Sequence, residues 1–251
     1  MEHYASAQQV FVVGLVFARV GAMVMLIPGL GEQPAPAQVR LSFALLLALV
    51  LAPVAAPSLP SVPPTVGEMV GYTLREVIIG LMIGAILRVF LGALATAGEI
   101  ISIQTTLSFA QTTNPTMAQS GSAIASFLTL TGVLLIFTTD LHHLFIGAIA
   151  RSYTLFPFHK AVPVQDAGAM MIKTVSGAFA LGVQLSAPVL VFSLVFNLAT
   201  GFIGRAMPQF QIFFAAAPLQ VLLGLSVFAL SLGVVGMVWV SRYREILANF
   251  A

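Results

Sequence analysis

The chain has 251 residues, of which 59% are hydrophobic and only 7% are charged. An average soluble domain carries about 25% charged residues, so a water-soluble fold would have too few charges to cover its surface. The formal net charge is +2 and there is no basic run, which excludes the electrostatic footprint of a nucleic-acid-binding protein. This composition predicts an integral membrane protein.

Six apolar segments follow one another along the chain, separated by stretches rich in proline, glycine, serine and threonine. None alternates as a transmembrane β-strand does, and helices are the other structure that satisfies the backbone in lipid. We therefore expect one all-α membrane domain over residues 1–251. Its helices should cover residues 10–30, 41–56, 77–95, 123–139, 175–203 and 212–240.

The last two apolar segments are too long for straight membrane spans. Residues 175–203 and 212–240 contain no charge, and a helix of either length would measure about 43 Å against a hydrocarbon core of about 30 Å. Pro188 and Pro218 lie inside these segments, where a missing amide and a ring clash would kink a helix. We expect kinked helices or helical hairpins at these two positions.

Two helix faces combine glycine with polar side chains at a spacing of four residues, which places each set on one stripe of a helix. A pair of glycines four apart lets another backbone approach closely, and an arginine at bilayer depth needs an acid, a carbonyl or water. We expect both faces to pack against other subunits, although glycine is also simply frequent in membrane helices. The first face is formed by Gly80, Gly84, Arg88 and Gly92, and the second by Asn197, Gly201 and Arg205.

The cluster of Asp140, His142 and His143 is open to two interpretations. Adjacent histidines on a regular helix point about 100° apart, so both can face one metal only where the backbone is irregular. We favour a polar helix end at the membrane interface over a metal site. No H-E-x-x-H, G-x-S-x-G or P-loop motif occurs, so we expect no enzyme, no cofactor and no bound metal. Arg19 is left with two roles, snorkelling or pairing.

Residues 105–122 are uncharged, rich in hydroxyl and amide side chains, and interrupted by Asn114-Pro115. Such backbone is tolerated at membrane depth only where it lines a cavity or is buried in protein. A loop lying across a pathway and an ordinary exposed loop both remain open on these grounds.

Three sequence blocks resemble the FliR family of flagellar export proteins, which is related to the R component of virulence type III secretion systems. Their order and spacing make the resemblance specific, and it extends over essentially the whole chain. The blocks are Leu107-Ser108-Phe109-Ala110 followed by Asn114-Pro115, then Leu141-His142-His143-Leu144, and finally Phe196-Asn197-Leu198-Ala199-x-Gly201-x-x-x-Arg205-x-x-Pro208-Gln209.

The resemblance implies a non-catalytic subunit of the flagellar type III protein export gate, in the bacterial inner membrane at the flagellar basal body. It implies a fold like a fusion of the partner subunits FliP and FliQ, assembled with them in a helical spiral in which apolar segments form hairpins and need not span. The expected partners are FliP-like, FliQ-like and FlhB-like subunits, membrane lipid and unfolded flagellar proteins, without nucleic acid. An injectisome subunit and a small-solute secondary transporter are the alternatives.

The same resemblance implies a gating role for the loop of residues 109–122, with Phe109, Asn114, Pro115 and Met117 at the channel gate. An uncharged constriction can close by dewetting, and a flexible methionine adapts to varied side chains. Family members often carry Asp-Pro where this chain has Asn114-Pro115, which argues against a role for a charge there.

Overall fold

The fold is taken from a computed structural model that describes residues 6–29, 36–108, 121–158, 164–207, 209 and 212–248. Within these ranges the chain is helical and contains no strand, which confirms the all-α class. A short 3-10 helix, Ala56–Ser58, follows the second α-helix. The α-helices of the described residues are α1 (Ala7–Val24), α2 (Ala37–Ala55), α3 (Val66–Gln104), α4 (Ala123–Thr138), α5 (Leu141–Leu155), α6 (Val164–Ala206) and α7 (Ile212–Ala248).

Five of these helices are long and apolar enough to cross a membrane, namely α1, α2 with its 3-10 turn, α3, α6 and α7. The number rises to six if α4 and α5 are taken as one span broken between Thr138 and Leu141. All six predicted apolar segments coincide with helices. The prediction of an all-α integral membrane protein is therefore confirmed.

Three helices are much longer than the apolar segments that predicted them. α3 has 39 residues, α6 has 43 and α7 has 37, which correspond to about 56–64 Å. Fitting them into a core of about 30 Å would need tilts near 60°, beyond the usual range of about 0–40°. If any of them crosses the membrane, part of it therefore lies outside the hydrocarbon layer.

Pro188 and Pro218 lie inside uninterrupted helices. The hairpin alternative for these two segments is thus wrong. A proline removes one backbone hydrogen bond and favours a bend, whereas reversing the chain would require several residues to leave the helical conformation.

The chain breaks between α4 and α5 at Asp140, which adopts a left-handed conformation with φ 57°. The predicted polar helix end is confirmed at this residue. The helix that follows immediately was not predicted, because the polar side chains within Leu141–Leu155, such as His142 and Arg151, interrupt its apolar pattern.

The chain folds as two compact units, and the prediction of a single membrane domain stays a prediction. Unit 1 contains residues 1–90, 139–175 and 244–251, and unit 2 contains residues 91–138 and 176–243. The largest fully buried apolar side chains of unit 1 are Leu15, Met23, Ile79, Ile83, Ile86 and Leu141, and those of unit 2 are Ile101, Leu128, Ile136, Trp239 and Tyr243.

Glycines let α3 approach α1 closely within unit 1. A Cβ atom on Gly80 would overlap the carbonyl oxygen of Arg19 and lie 2.8 Å from the Cβ of Ala22. A Cβ atom on Gly84 would lie 2.9 Å from the Cβ of Leu26. The sequence predicted that this face packs against another subunit. At Gly80 and Gly84 that prediction is corrected, because α1 of the same chain packs there.

Replacing Gly80 with alanine should destabilise the protein, because the added methyl group meets the backbone of α1, which cannot rotate away as a side chain would. Overpacking of this kind costs about 1–3 kcal/mol. The matched control is Gly71→Ala on the same helix, where nothing lies within 4 Å and alanine gains up to about 1 kcal/mol of helix propensity. Thermal unfolding in detergent measures both, and equal melting temperatures would contradict the close α1–α3 contact.

Candidate functional site

The expected gate residues Phe109, Asn114, Pro115 and Met117 lie outside the described residues. The structure does describe the two flanks of this segment, residues 105–108 and 121–122, both in unit 2. The contacts of these flanks determine how residues 109–120 are connected to the rest of the unit.

At the second flank, Ser122 is held on α3. Its backbone N–H donates to a carboxylate oxygen of Glu99 at 2.6 Å, and its hydroxyl accepts from the backbone N–H of Ala125 at 3.1 Å as the N-cap of α4. A Cβ atom on Gly98 would overlap the backbone of Ala125. A carboxylate at a helix N-terminus is favoured by the helix dipole, and its bond to an N–H is charge-assisted. The start of α4 is therefore fixed against α3.

At the first flank, the end of α3 is held by α6 and α7. The side-chain oxygen of Gln104 accepts from the hydroxyl of Ser193 at 2.8 Å, and its backbone carbonyl accepts from the side-chain amide of Gln220 at 2.9 Å. A Cβ atom on Gly224 would lie 2.7 Å from a methyl carbon of Thr105. The chain then leaves the helix through Thr106, whose φ is 58°. Both ends of the segment are thus attached to unit 2.

The face expected at Asn197, Gly201 and Arg205 is partly explained by this network. The amide of Asn197 donates to the hydroxyl of Ser193 at 3.3 Å, so Asn197 supports the contact with Gln104. A Cβ atom on Gly201 would meet nothing within 4 Å, and Arg205 is exposed. Exposed apolar side chains surround them, namely Leu198, Phe202 and Ile203. Within the part of the chain that the structure describes, this end of α6 is an open surface of mixed character.

The other expected face divides into two parts. Gly80 and Gly84 are buried against α1, whereas Arg88 is exposed and a Cβ atom on Gly92 would meet nothing within 4 Å. Among the described residues, only the part formed by Arg88 and Gly92 is left open to another molecule.

A buried ion pair in unit 1 was missed by the sequence analysis. Arg19 on α1 donates two hydrogen bonds to the carboxylate of Glu76 on α3, at 2.6 and 2.9 Å, and both side chains are fully buried. The guanidinium also donates to the carbonyl oxygens of Ser152 and Phe156 at the end of α5, at 2.9 and 3.3 Å. It lies 4.1 Å from the ring centroid of Tyr153.

This arrangement decides the role of Arg19 in favour of pairing. The guanidinium also donates to the Ser152 hydroxyl at 3.3 Å. With this bond, the Arg19 side chain makes as many hydrogen bonds as it has N–H donors. The signal that could have identified Glu76 is the need of an arginine in an apolar helix for an acid. Buried pairs of this kind stabilise a particular arrangement, and removal of one partner leaves an uncompensated charge.

The polar cluster at the start of α5 has converged side chains. One ligand atom from each of Asp140, His142 and His143 lies within 4.8 Å of the other two. The ring centroids of the two histidines are 4.1 Å apart, and an oxygen of Asp140 lies 3.7 Å from Nδ1 of His143. Asp140 precedes α5 in a left-handed conformation, whereas both histidines lie within the first turn of the helix.

Comparison with known proteins identifies the family. The family described as bacterial export proteins, family 1, matches residues 10–246. A flagellar biosynthetic protein FliR from Caulobacter vibrioides is 61% identical, with all of both chains covered. The protein of the same name from Aquifex aeolicus is 30% identical over 71% of this chain and 69% of its own length. That from Escherichia coli K12 is 28% identical over 84% of this chain and 80% of its own length. The resemblance to the FliR family is confirmed.

Removing one partner of the buried ion pair should destabilise the protein more than removing both. Arg19→Met or Glu76→Met leaves a buried charge without its partner, at a cost of about 3–5 kcal/mol. The double variant leaves no charge behind, so it should unfold at a higher temperature than either single variant. Arg88→Met on exposed α3 surface is the control and should change the melting temperature little. A double variant less stable than both single variants would contradict the pairing.

Proposed function

The chain belongs to family 1 of the bacterial export proteins, and from this membership we propose that it is a non-catalytic subunit of the flagellar type III protein export gate. The observation that carries the proposal is the identity of 61% over the full length of a relative named for flagellar biosynthesis. The apolar helices support a location in the bacterial inner membrane, at the flagellar basal body. The relatives' flagellar names favour a flagellar exporter over an injectisome.

The gate is assembled with FliP-like, FliQ-like and FlhB-like subunits in a helical spiral. Support comes from the length of α3, α6 and α7, since helices of 37–43 residues exceed the roughly 20 needed to cross a bilayer. The exposed end of α6 offers a surface for such a partner. Gly201 admits a close approach there, while the apolar side chains of Leu198 and Phe202 are 56% and 72% exposed.

The loop of residues 109–122 closes the channel, and unfolded flagellar proteins displace its residues 109–120 during export. The contacts at both flanks support this role. Gln104 attaches one end to α6 and α7, and Glu99 holds Ser122 at the other. A segment between two fixed ends can give way to a passing chain while the helices stay in place. Because residues 109–122 carry no charge, a closed constriction of this kind would exclude ions by dewetting.

Purification of the tagged chain from its native membrane in mild detergent tests the assembly. FliP-like and FliQ-like subunits should co-purify with the wild-type chain, and Gly201→Leu should reduce their recovery several-fold by filling the contact surface. Gly177→Leu is the matched control, since it also lies on α6 with nothing within 4 Å. Both variants should keep the wild-type melting temperature as isolated chains. Recovery of the wild type as a monomer or homodimer would instead favour the small-solute transporter.

Replacement of residues 109–120 by a shorter Gly/Ser linker tests the gate. Gly121 and Ser122 are retained, so that the bond to Glu99 and the N-cap of α4 remain. We expect the complex to assemble and the membrane to become leaky to ions, measured as dissipation of an ion gradient in vesicles that contain the complex. A Gly/Ser linker in place of residues 31–35 is the control, and vesicles that contain this variant should not leak. An assembled complex with unchanged leak would contradict the gating role.

A further inference from the structure

We propose that Asp140, His142 and His143 form a binding site for a divalent transition-metal ion of the zinc class. The three residues lie together in unit 1, at the start of α5. The site goes beyond the proposed export function.

Three ligand atoms converge at this position. Each residue offers one atom within 4.8 Å of the other two. In a tetrahedral zinc site with bonds of about 2.0–2.1 Å, ligand atoms are about 3.3 Å apart. The remaining gap can be closed by side-chain rotation, because the side chains of Asp140 and His143 are 77% and 68% exposed.

Asp140 has an unusual conformation for a residue that precedes a helix. An aspartate at a helix N-cap ordinarily adopts an extended backbone and accepts hydrogen bonds from the first turn. Asp140 occupies that position with φ 57° and makes no capping hydrogen bond through its side chain. Its carboxylate instead lies 3.7 Å from Nδ1 of His143. The carboxylate thus lies beside the imidazole of His143 and does not cap the first turn of α5.

The donor set determines the class of ion. Two imidazole nitrogens and one carboxylate oxygen suit Zn²⁺ and neighbouring divalent ions such as Co²⁺ and Ni²⁺, whereas Mg²⁺ and Ca²⁺ prefer oxygen ligands alone. The negative charge of Asp140 also offsets the positive end of the α5 dipole, which would otherwise disfavour a cation. Three protein ligands leave a fourth tetrahedral position for water.

The test is a Zn²⁺ titration of the full chain in lipid nanodiscs, purified with a tag free of histidine and stripped of metal. Competition with a chromophoric chelator gives the affinity, and we expect one ion per chain. Asp140→Asn and His143→Ala should each weaken binding by about tenfold or more, a loss that even an outer-shell change can cause. His3→Ala and His159→Ala, which alter the two histidines outside the cluster, should bind as the wild type does. Mg²⁺ should not compete.

Asp140→Asn keeps the fold testable, because asparagine also tolerates the left-handed conformation. A second measurement needs no substitution: Zn²⁺ should slow the chemical modification of His142 and His143 by an imidazole-acylating reagent, followed by peptide mapping, and leave His3 and His159 unchanged. Absence of Zn²⁺ binding, equal binding by wild type and cluster variants, or equal modification rates with and without Zn²⁺ would each overturn the proposal.

Discussion

The need to satisfy every buried polar group inside the protein is the constraint on which the rest of this structure depends. With 7% charged residues, the chain is too apolar to be covered by water, and an unpartnered polar group in an apolar environment costs several kcal/mol. Helices satisfy the backbone. Some buried polar side chains pair across helices, as Arg19 does with Glu76 and Gln220 with the backbone of Gln104. These few contacts therefore fix where one helix meets another within each unit.

Glycine has two different roles in this protein, and the surrounding atoms distinguish them. At Gly80 and Gly98 a backbone lies so close that a Cβ atom would overlap it, whereas Gly177 and Gly201 face open space. The first pair holds helices of the same unit together. The second pair makes no such contact within the described residues, and only at Gly201 do we propose that another subunit approaches α6. Spacing alone does not separate the two cases, because close helix approach has the same requirement within a chain and between subunits.

The flank contacts link this packing to the proposed export role. A closing segment has to yield to an unfolded chain without pulling apart the helices that carry it. The bonds at both flanks use backbone groups, the N–H of Ser122 and the carbonyl of Gln104, and their partners are side chains on α3 and α7. Both ends of the segment are therefore attached to unit 2 through main-chain groups.

The sequence by itself determined the helical class, the membrane character and the family, because these follow from composition, apolar length and the order of motifs. Helix ends were less predictable, since α3 continues through polar residues to Gln104 and α5 begins directly after Asp140. Only the tertiary structure decided that Arg19 pairs with Glu76, 57 positions away, and that Gly80 packs on α1. Such contacts depend on how helices come together, which no local pattern of residues records.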